Sequence, residues 1–289
     1  GETICHTTPM ARKNGRDLNG FINLDKPYDM GSTQALGALK RILNPKKAGH
    51  AGTLDPLATG VLPIGLGDAT KLINFVQDKL KTYEFTIKWG ERRDTDDAEG
   101  NVIATSDVRP PVDEIIKALP CFLGETEQIP PKYSAIKIDG QRAYDLARGG
   151  VDIEIQPRIV YIERLDIMAA DEQTLKLHCV CGKGTYVRAI ARDLAHMLGT
   201  EGYITQLCRT AVGPFLQKDA VSLDFLEQME DKTDLESVLY PLESVLDDIP
   251  ALALTEAEAN KLRNGNALAF VARPDYERLI MSGINTEEG

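Results

Sequence analysis

An isolated carboxylate is the residue in this sequence best suited to chemistry. Asp55 is the only charged residue between Lys47 and Asp68, and glycines, small residues and Pro56 surround it. Glycine permits backbone conformations that other residues avoid, and a proline disfavours a helical conformation at the residue before it. We therefore expect a stiff, irregular loop that presents the Asp55 side chain. Asp-Pro pairs commonly form turns, but a carboxylate alone in an apolar stretch is costly unless it has a use, so both interpretations stand.

Other chemistries find no support in the motifs. Residues 65–71 lack both the Gly-Lys-Ser/Thr of a phosphate loop and the third glycine of a dinucleotide fingerprint. No Ser-His-Asp elbow motif accompanies the four histidines. Cys179 and Cys181 are too closely spaced for a zinc site, and the alternation of residues 175–181 indicates a strand with one buried face. We expect no metal, no nucleotide and no other cofactor, which leaves an ionised aspartate as a nucleophile.

Four segments, in one order, resemble a known family. Residues 50–60, which read HAGTLDPLATG around Asp55, are similar to the catalytic motif of the bacterial TruB family of tRNA pseudouridine-55 synthases. Residues 20–27, 128–137 and 183–188 resemble further motifs of that family, and the resemblance covers residues 16–250. Four ordered motifs over such a length are not a chance resemblance.

The resemblance implies an isomerase that detaches a uridine at N1, rotates the base and rejoins it through C5, without a cofactor. It assigns the nucleophile to Asp55, and it leaves open whether C1′ of the ribose or C6 of the base is attacked. Arg188 is implied as the partner that keeps the carboxylate ionised, since a guanidinium stays charged and binds both oxygens. Tyr83 is implied to pack on the base and is a candidate for removing the C5 proton.

The family also implies residues that bind the substrate or support the site. Tyr186 and Leu207 match residues that line the base pocket, and His50 matches a histidine that helps to hold the flipped loop bases. Lys26, with Pro27, matches a motif that supports the site. Taken singly, each also has a structural interpretation: core packing for the tyrosine and the leucine, a satisfied loop histidine, and a surface charge for the lysine.

The partner implied by the family is the T-arm stem-loop of tRNA. A uridine within a stacked loop is out of reach of a catalytic side chain, so it must be flipped into a pocket. The alternative is a tRNA-folding chaperone, that is, a binding module whose catalysis is secondary.

The charge is distributed unevenly along the chain. Its 289 residues carry a net charge of −11, whereas proteins that bind nucleic acid tend to be basic because they neutralise phosphates. Through residue 50 there are eight Lys and Arg against four acidic residues, and residues 219–258 carry twelve acidic residues and one Lys. A basic face on an acidic body is compatible with RNA binding, although charge runs are usually solvated surfaces.

Composition indicates a globular protein without a membrane span. No apolar run approaches the length of about 18 residues that a span requires, and no signal-peptide core is present. Five scattered cysteines favour a reducing compartment, so we expect a cytoplasmic monomer that does not bind membranes. Residues 1–9 differ from the rest and Met10 reads as a natural start, so we expect those nine residues to be foreign to the native chain.

The predicted elements mix helices with strands and hairpin turns. Alternation at positions 83, 85, 87 and 89 predicts a strand, Ser32-Thr33 is expected to cap a helix that ends at Leu43, and Asp68 is expected to cap the next helix. This mixture favours an α+β fold, and the resemblance implies the pseudouridine synthase fold, a mixed, mostly antiparallel sheet with flanking helices. We expect an N-terminal tail over residues 1–17, a catalytic domain over 18–248, and a short or truncated PUA-like RNA-binding unit over 249–289.

Overall fold

The chain divides into two compact units, Gly1–Leu242 and Glu243–Gly289. The computed structural model describes residues 14–134, 137–138, 141–150, 154–229, 232–247 and 249–286. Most of the expected N-terminal tail, residues 1–13, lies outside the described residues. No helix within the described residues is long and apolar enough to cross a membrane.

The first unit contains all the strands of the described chain. They are β1 (Gly20–Lys26), β2 (Ala48–His50), β3 (Thr59–Leu66), β4 (Lys81–Trp89), β5 (Glu91–Arg93), β6 (Val102–Thr105), β7 (Gly124–Gln128), β8 (Lys137–Ile138), β9 (Gln141–Arg142), β10 (Arg158–Ala170), β11 (Thr174–Cys181), β12 (Gly202–Val212), β13 (Phe215–Leu216) and β14 (Leu239–Tyr240).

Helices flank these strands and also form the regular structure of the second unit. The first unit has α1 (Ser32–Leu43), α2 (Ile73–Asp78), α3 (Val112–Ala118), α4 (Ala143–Arg148), α5 (Val187–Met197), α6 (Leu223–Gln228) and α7 (Lys232–Val238). The second unit has α8 (Glu256–Arg263) and α9 (Arg273–Met281). Short 3-10 turns occupy Gly67–Leu72, Leu119–Phe122, Gln217–Asp219 and Leu242–Val245.

Among the described residues, ten strands form one sheet. The main order is β14-β1-β3-β12-β4-β11-β10-β7, with β2 added to β3 and β13 added to β12. The β3–β12 pair is parallel and the other pairs are antiparallel. This confirms the predicted α+β fold with a mixed, mostly antiparallel sheet and flanking helices.

The core lies where α5 covers the central strands of this sheet. Phe85 and Ile87 of β4, and Ile190 and Leu194 of α5, are at most 1% exposed. The buried face of β11, residues 175, 177, 179 and 181, is also fully buried, so the interpretation of its two cysteines as strand residues is right.

The predicted caps of two helices are wrong. The N-cap of α1 is Gly31, and Ser32 is already the first helical residue, without a side-chain cap bond. Asp68 lies inside the 3-10 turn and makes no cap bond either. Its own backbone N–H donates to the side-chain oxygen of Asn19 at 2.8 Å, so a residue distant in sequence takes the role that a local cap would have.

Candidate active site

The loop that carries Asp55, residues 51–58, connects β2 to β3 and depends on glycine at both ends. Gly52 and Gly60 have φ values of +100° and +103°, in the left-handed region that side chains disfavour. A Cβ on Gly60 would lie 2.1 Å from the backbone oxygen of Arg209. No side chain fits there, which explains in physical terms why glycines surround the acid.

A serine at the start of α1 fixes the residue before Asp55. The Ser32 hydroxyl donates to the Leu54 carbonyl at 3.0 Å and accepts from the Leu54 N–H at 2.7 Å, and both groups are buried. Leu54 and Leu57, on either side of the acid, are 4% and 3% exposed. The Asp55 side chain is 34% exposed, so a rigid, buried frame holds a carboxylate that remains open to ligands.

Arg188, the second residue of α5, binds this carboxylate through both of its oxygens. Its Nε lies 2.8 Å from Oδ2 of Asp55, and its Nη2 donates to Oδ1 at 3.2 Å. The guanidinium also donates to the Thr95 carbonyl at 2.9 Å and to the Tyr133 carbonyl at 2.7 Å. The predicted partnership thus exists across 133 residues of sequence, and two backbone oxygens hold the arginine in place.

Two more carboxylates, in the hairpin between β5 and β6, lie behind Arg188. Asp96 and Asp97 are 4% and 3% exposed. Burial disfavours charge on Arg188, but Asp55 first, and then Asp97 and Asp96, offset this effect and raise its pKa. Burial also raises the pKa of Asp96 to about 6, against the opposing effect of Arg192. The arginine is therefore fully charged wherever the protein is folded.

A pocket of about 800 Å³ opens in front of this ion pair. Five predicted site residues line it, together with a buried arginine that the sequence did not suggest: Asp55, Tyr83, Tyr186, Arg188 and Leu207, with Arg209. Its size lies within the range typical of small-ligand sites. One carboxylate, two aromatic rings and one aliphatic wall therefore meet in a space that can take a nucleotide.

Tyr83 forms one wall of the pocket from the centre of the sheet. It is 9% exposed and lies opposite Cys179 of β11 and Arg209 of β12. Burial raises its pKa to about 12, although the neighbouring Arg209 guanidinium acts in the other direction. The phenol is therefore protonated at neutral pH. Leu207, which is 7% exposed, extends the same wall on β12.

Tyr186 also lines the pocket, and a buried glutamine holds its backbone. Gln128 donates from Nε2 to the Tyr186 carbonyl at 3.2 Å and accepts from the Tyr186 N–H at 2.8 Å. Gln128 is 5% exposed. This reciprocal pair fixes the residue immediately before α5, and hence also the start of the helix that carries Arg188.

Lys26 is not among the residues that line the pocket, but it supports the Asp55 loop through a hydrogen bond to the Pro56 carbonyl. The side chain is fully buried, and Nζ donates to the Pro27 carbonyl at 2.8 Å, to the Met30 carbonyl, and to the Pro56 carbonyl at 3.4 Å. Burial lowers its pKa to about 8, against the opposing effect of Asp55. Its interpretation as a surface charge is wrong, because three backbone carbonyls surround the amine.

His50 also lies outside the residues that line the pocket. It ends β2, opposite Ile64 of β3, and burial lowers its pKa, with a further contribution from Arg209. The ring is therefore neutral at pH 7. Its Nδ1 is buried without a hydrogen-bond partner among the described residues, so its interpretation as a satisfied loop histidine is wrong.

Sequence reasoning missed two buried cations beside the pocket, Lys81 and Arg209, which are 6% and 2% exposed. A signal for both was available. Lys81 precedes Tyr83 by two positions and Arg209 follows Leu207 by two positions, so each lies on the inward face of its strand. A basic residue in register with buried residues of a strand is unusual and indicates a site.

The surroundings of the pocket are rich in cations although the chain is acidic. None of Lys26, Lys81 and Arg209 has a carboxylate within 4 Å among the described residues. A buried charge without an ionic partner is costly, and its retention beside a pocket suits an anionic ligand. The negative net charge therefore gives a misleading picture of this region.

The protein-family comparison matches two consecutive models. Residues 40–187 match the model described as "TruB family pseudouridylate synthase (N terminal domain)". Residues 188–247 match the model described as "tRNA pseudouridylate synthase B C-terminal domain". Neither match extends into residues 249–289.

Close relatives carry one name. A protein of Bradyrhizobium diazoefficiens named tRNA pseudouridine synthase B is 53% identical over 269 residues, which are 91% of this chain and 78% of the relative. A protein of Caulobacter vibrioides with the same name is 51% identical over 265 residues, 91% of this chain and 85% of the relative.

Solved structures agree on the fold. A chain from a Cbf5-Nop10-Gar1 complex superposes with a TM-score of 0.68 at 24% identity, covering 89% of this chain and 75% of that one. A chain of the archaeal box H/ACA sRNP Nop10-Cbf5 complex gives 0.66 at 23% identity, covering 86% and 68%. These likenesses concern the fold alone. On the family match and the close relatives, the chain belongs to the TruB family of tRNA pseudouridylate synthases.

Proposed function

We propose that this protein converts the T-loop uridine of tRNA, position 55, to pseudouridine, with Asp55 as the nucleophile. One observation carries the proposal: the Asp55 carboxylate, bound by Arg188 and 34% exposed, faces a pocket of about 800 Å³ walled by Tyr83, Tyr186 and Leu207. The relatives' shared name and the resemblance of residues 50–60 to the family's catalytic motif support the choice of substrate.

The pocket suits a base that has left its stack. A flipped uracil needs aromatic or apolar surfaces in place of its stacking neighbours, and Tyr83 and Tyr186 offer such surfaces in the lining of the pocket. Lys81, which is 6% exposed and lines the pocket, favours binding of the anionic backbone that carries the base.

In the proposed reaction, the ionised carboxylate attacks either C1′ of the ribose or C6 of the base. The N1–C1′ bond breaks, the base rotates, the C5–C1′ bond forms, the C5 proton is lost to solvent, and N1 takes up one proton. Asp55 can form and release a covalent bond because Arg188 supports its charge without movement of the backbone. The product is an isomer of the substrate, and the reaction transfers no electrons and no chemical group to another molecule. It therefore requires no cofactor.

Tyr83 has two roles in this scheme. It packs on the base throughout, and it is the candidate acceptor of the C5 proton. Because burial raises its pKa to about 12, the phenol must first give up its own proton, and the nearby Arg209 guanidinium favours that step.

The two remaining predicted residues act outside the pocket. Lys26 holds the Pro56 carbonyl, directly after the nucleophile. His50 is neutral, because burial lowers its pKa, and the family motif supports a role for it in holding the displaced bases of the RNA loop.

We also propose the expected domain division, with a catalytic domain over residues 18–248 and a short PUA-like RNA-binding unit over 249–289. The compact units Gly1–Leu242 and Glu243–Gly289 support such a division. The protein would act as a cytoplasmic monomer. Four cysteines of the described chain are free thiols, as a reducing compartment requires.

Tritium release tests the function directly. A T-arm stem-loop with [5-³H]uridine should release tritium to water with the native protein, and Asp55→Asn should reduce the rate by about 10⁴-fold or more. Asp166→Asn, which alters an exposed aspartate that pairs with Arg164, is the control and should release tritium at the native rate. Full activity in Asp55→Asn would contradict the proposal. A native protein that refolds tRNA without releasing tritium would instead indicate the chaperone.

A further inference from the structure

Arg209 of β12 is the most buried arginine beside the pocket, and it bonds to two separate parts of the Asp55 frame. Its Nε donates to the Val61 carbonyl of β3 at 2.9 Å, and its Nη2 donates to the Gly52 carbonyl of the Asp55 loop at 3.0 Å. The residue is 2% exposed. Its planar guanidinium, with donors in a fixed fork, therefore sets the distance between the loop and the sheet.

The same residue contacts Tyr83. The two lie opposite each other on the antiparallel pair β12–β4, with side chains on one face of the sheet. The Arg209 guanidinium lowers the pKa of the phenol, against the larger effect of burial. One side chain thus reaches the β3 backbone, the loop of the nucleophile and the aromatic wall of the pocket.

Gly52 of the loop and Gly60 of β3 both lie beside Arg209. A Cβ on Gly52 would lie 3.5 Å from Nη1, and a Cβ on Gly60 would lie 2.1 Å from the Arg209 carbonyl oxygen. The approach at Gly60 excludes a side chain, whereas the distance at Gly52 is an ordinary contact. The Asp55 segment and Arg209 therefore constrain each other at Gly60 and through the hydrogen bond to the Gly52 carbonyl. Arg209 therefore has more contacts with the Asp55 segment than one hydrogen bond to a backbone carbonyl.

We propose that Arg209 is the positioning residue that couples the Asp55 loop to Tyr83, so that nucleophile and phenol keep a fixed separation around the flipped base. The inference rests on the proposed function, since it deepens the account of the same site. Arg209 does not attack the substrate. It acts through Gly52 on the nucleophile and through the phenol on Tyr83, while Arg188 binds the carboxylate itself.

Lysine cannot replace Arg209 in this role. The lysine ammonium carries the same charge on a flexible stem. It does not present a planar group that bonds to the Val61 and Gly52 carbonyls together beside Tyr83. Arg209→Lys therefore separates the contribution of geometry from that of charge, whereas Arg209→Met removes both.

The test is a double-mutant cycle in single-turnover tritium release from the T-arm stem-loop. We expect Arg209→Met to slow the reaction by about 100-fold, as for a misplacement of about 1 Å, with a change in RNA binding below about threefold. In the Tyr83→Phe background the same substitution should cost about tenfold less, because the two residues act as a unit. Arg209→Lys should recover little of the rate.

Arg109→Met is the matched control. Arg109 donates to the Ser106 and Val108 carbonyls at 2.9 and 3.1 Å in the connection between β6 and α3, so its loss removes comparable bonds away from the pocket. Tritium release should be unchanged. If Arg209→Met fails to fold, Arg209→Lys, alone and with Tyr83→Phe, completes the cycle.

Two outcomes would overturn the proposal: additive effects of Arg209 and Tyr83 substitutions, or a native rate in Arg209→Lys. Asp55→Asn, measured in parallel, separates this failure from that of the proposed function. Activity in Asp55→Asn overturns the function, whereas an inactive Asp55→Asn with additive Arg209 effects overturns only the coupling.

Discussion

Carboxylates in the two compact units are held in opposite ways. Asp96, in the hairpin behind the pocket of the first unit, is 4% exposed, and burial raises its pKa to about 6. In the second unit, hydrogen bonds rather than burial set the state of the Glu258 carboxylate on α8. It accepts from Arg278 at 2.7 Å and from the Thr255 N–H at 2.8 Å, and these bonds, Arg278 first, lower its pKa to about 2.

The difference shows what each unit is built for. The first unit buries charged groups against backbone carbonyls and against each other, which fixes the Asp55 loop at a cost in stability. The second unit pairs its charges at helix ends, where each pair adds a little stability, and no residue of α8 or α9 is buried. Substitutions near the pocket should therefore change activity most, and substitutions of the charge pairs at the helix ends of the second unit should change local stability.

The largest effect is expected at the ion pair. Arg188→Met should lower single-turnover tritium release by about 10²–10³-fold, because it removes the positioned charge beside the nucleophile. Arg188→Lys keeps a charge but loses the paired bonds to Asp55 and to the Thr95 and Tyr133 carbonyls, so it should recover only part of the rate. A native rate in either variant would show that the pocket does not depend on this arrangement.

A matched pair of glycine substitutions compares the backbones of the two units. Gly60→Ala should lower the free energy of unfolding by about 3 kcal/mol or more, because φ is +103° and its Cβ meets the Arg209 carbonyl at 2.1 Å. Gly265, in the second unit, has φ of +75° with nothing within 4 Å of a Cβ, so Gly265→Ala should cost about 1 kcal/mol. Urea unfolding measures both, and equal losses would remove the distinction.

Asp96→Asn should stabilise the protein at neutral pH. The folded-state pKa of about 6 lies above the ordinary value of 3.8 for an aspartate. The stability that protonation of Asp96 contributes is therefore complete below pH 3.8 and is lost as the pH rises through 6. Asparagine stays neutral and suits φ of +61°, so we expect a gain of about 1–2 kcal/mol at pH 7. In urea unfolding from pH 4 to pH 7.5 the gain should vanish at the acid end. A constant gain would exclude titration of Asp96 as the cause.

Glu258→Gln should have the smallest effect, with the opposite sign. Its folded-state pKa of about 2 lies below the ordinary value of 4.5 for a glutamate, so its stabilising effect is present above pH 4.5 and is lost as the pH falls through 2. The variant should melt slightly earlier than the native protein at pH 7, and the difference in Tm should shrink in acid. A large decrease in Tm, comparable with that of Gly60→Ala, would show that the second unit depends on more than surface pairing.

Much of this architecture could be predicted because its signals are local. The patterns that predict β4, β11 and α1 are local. In each element, apolar residues at regular spacing face the core, so residues close together in sequence reveal it. The isolated position of Asp55 among glycines indicated a special loop for a similar reason, since φ values above zero exclude most other residues. Ser32 shows the limit: its local signal as a cap was clear, but its hydroxyl instead bonds to Leu54, 22 residues later.

The sequence by itself determined the α+β class, the loop that presents Asp55, and, through the family motifs, five of the residues that line the pocket: Asp55, Tyr83, Tyr186, Arg188 and Leu207. Only the tertiary structure decided how they are held: Arg188 against Asp55 across 133 residues, Gln128 on the backbone of Tyr186 across 58 residues, and Arg209 on Gly52 across 157 residues. The physical reason is that a bond from a side chain to a distant backbone group leaves no periodic trace. Its energy depends on where the fold brings the chain together, and not on which residues are neighbours in sequence.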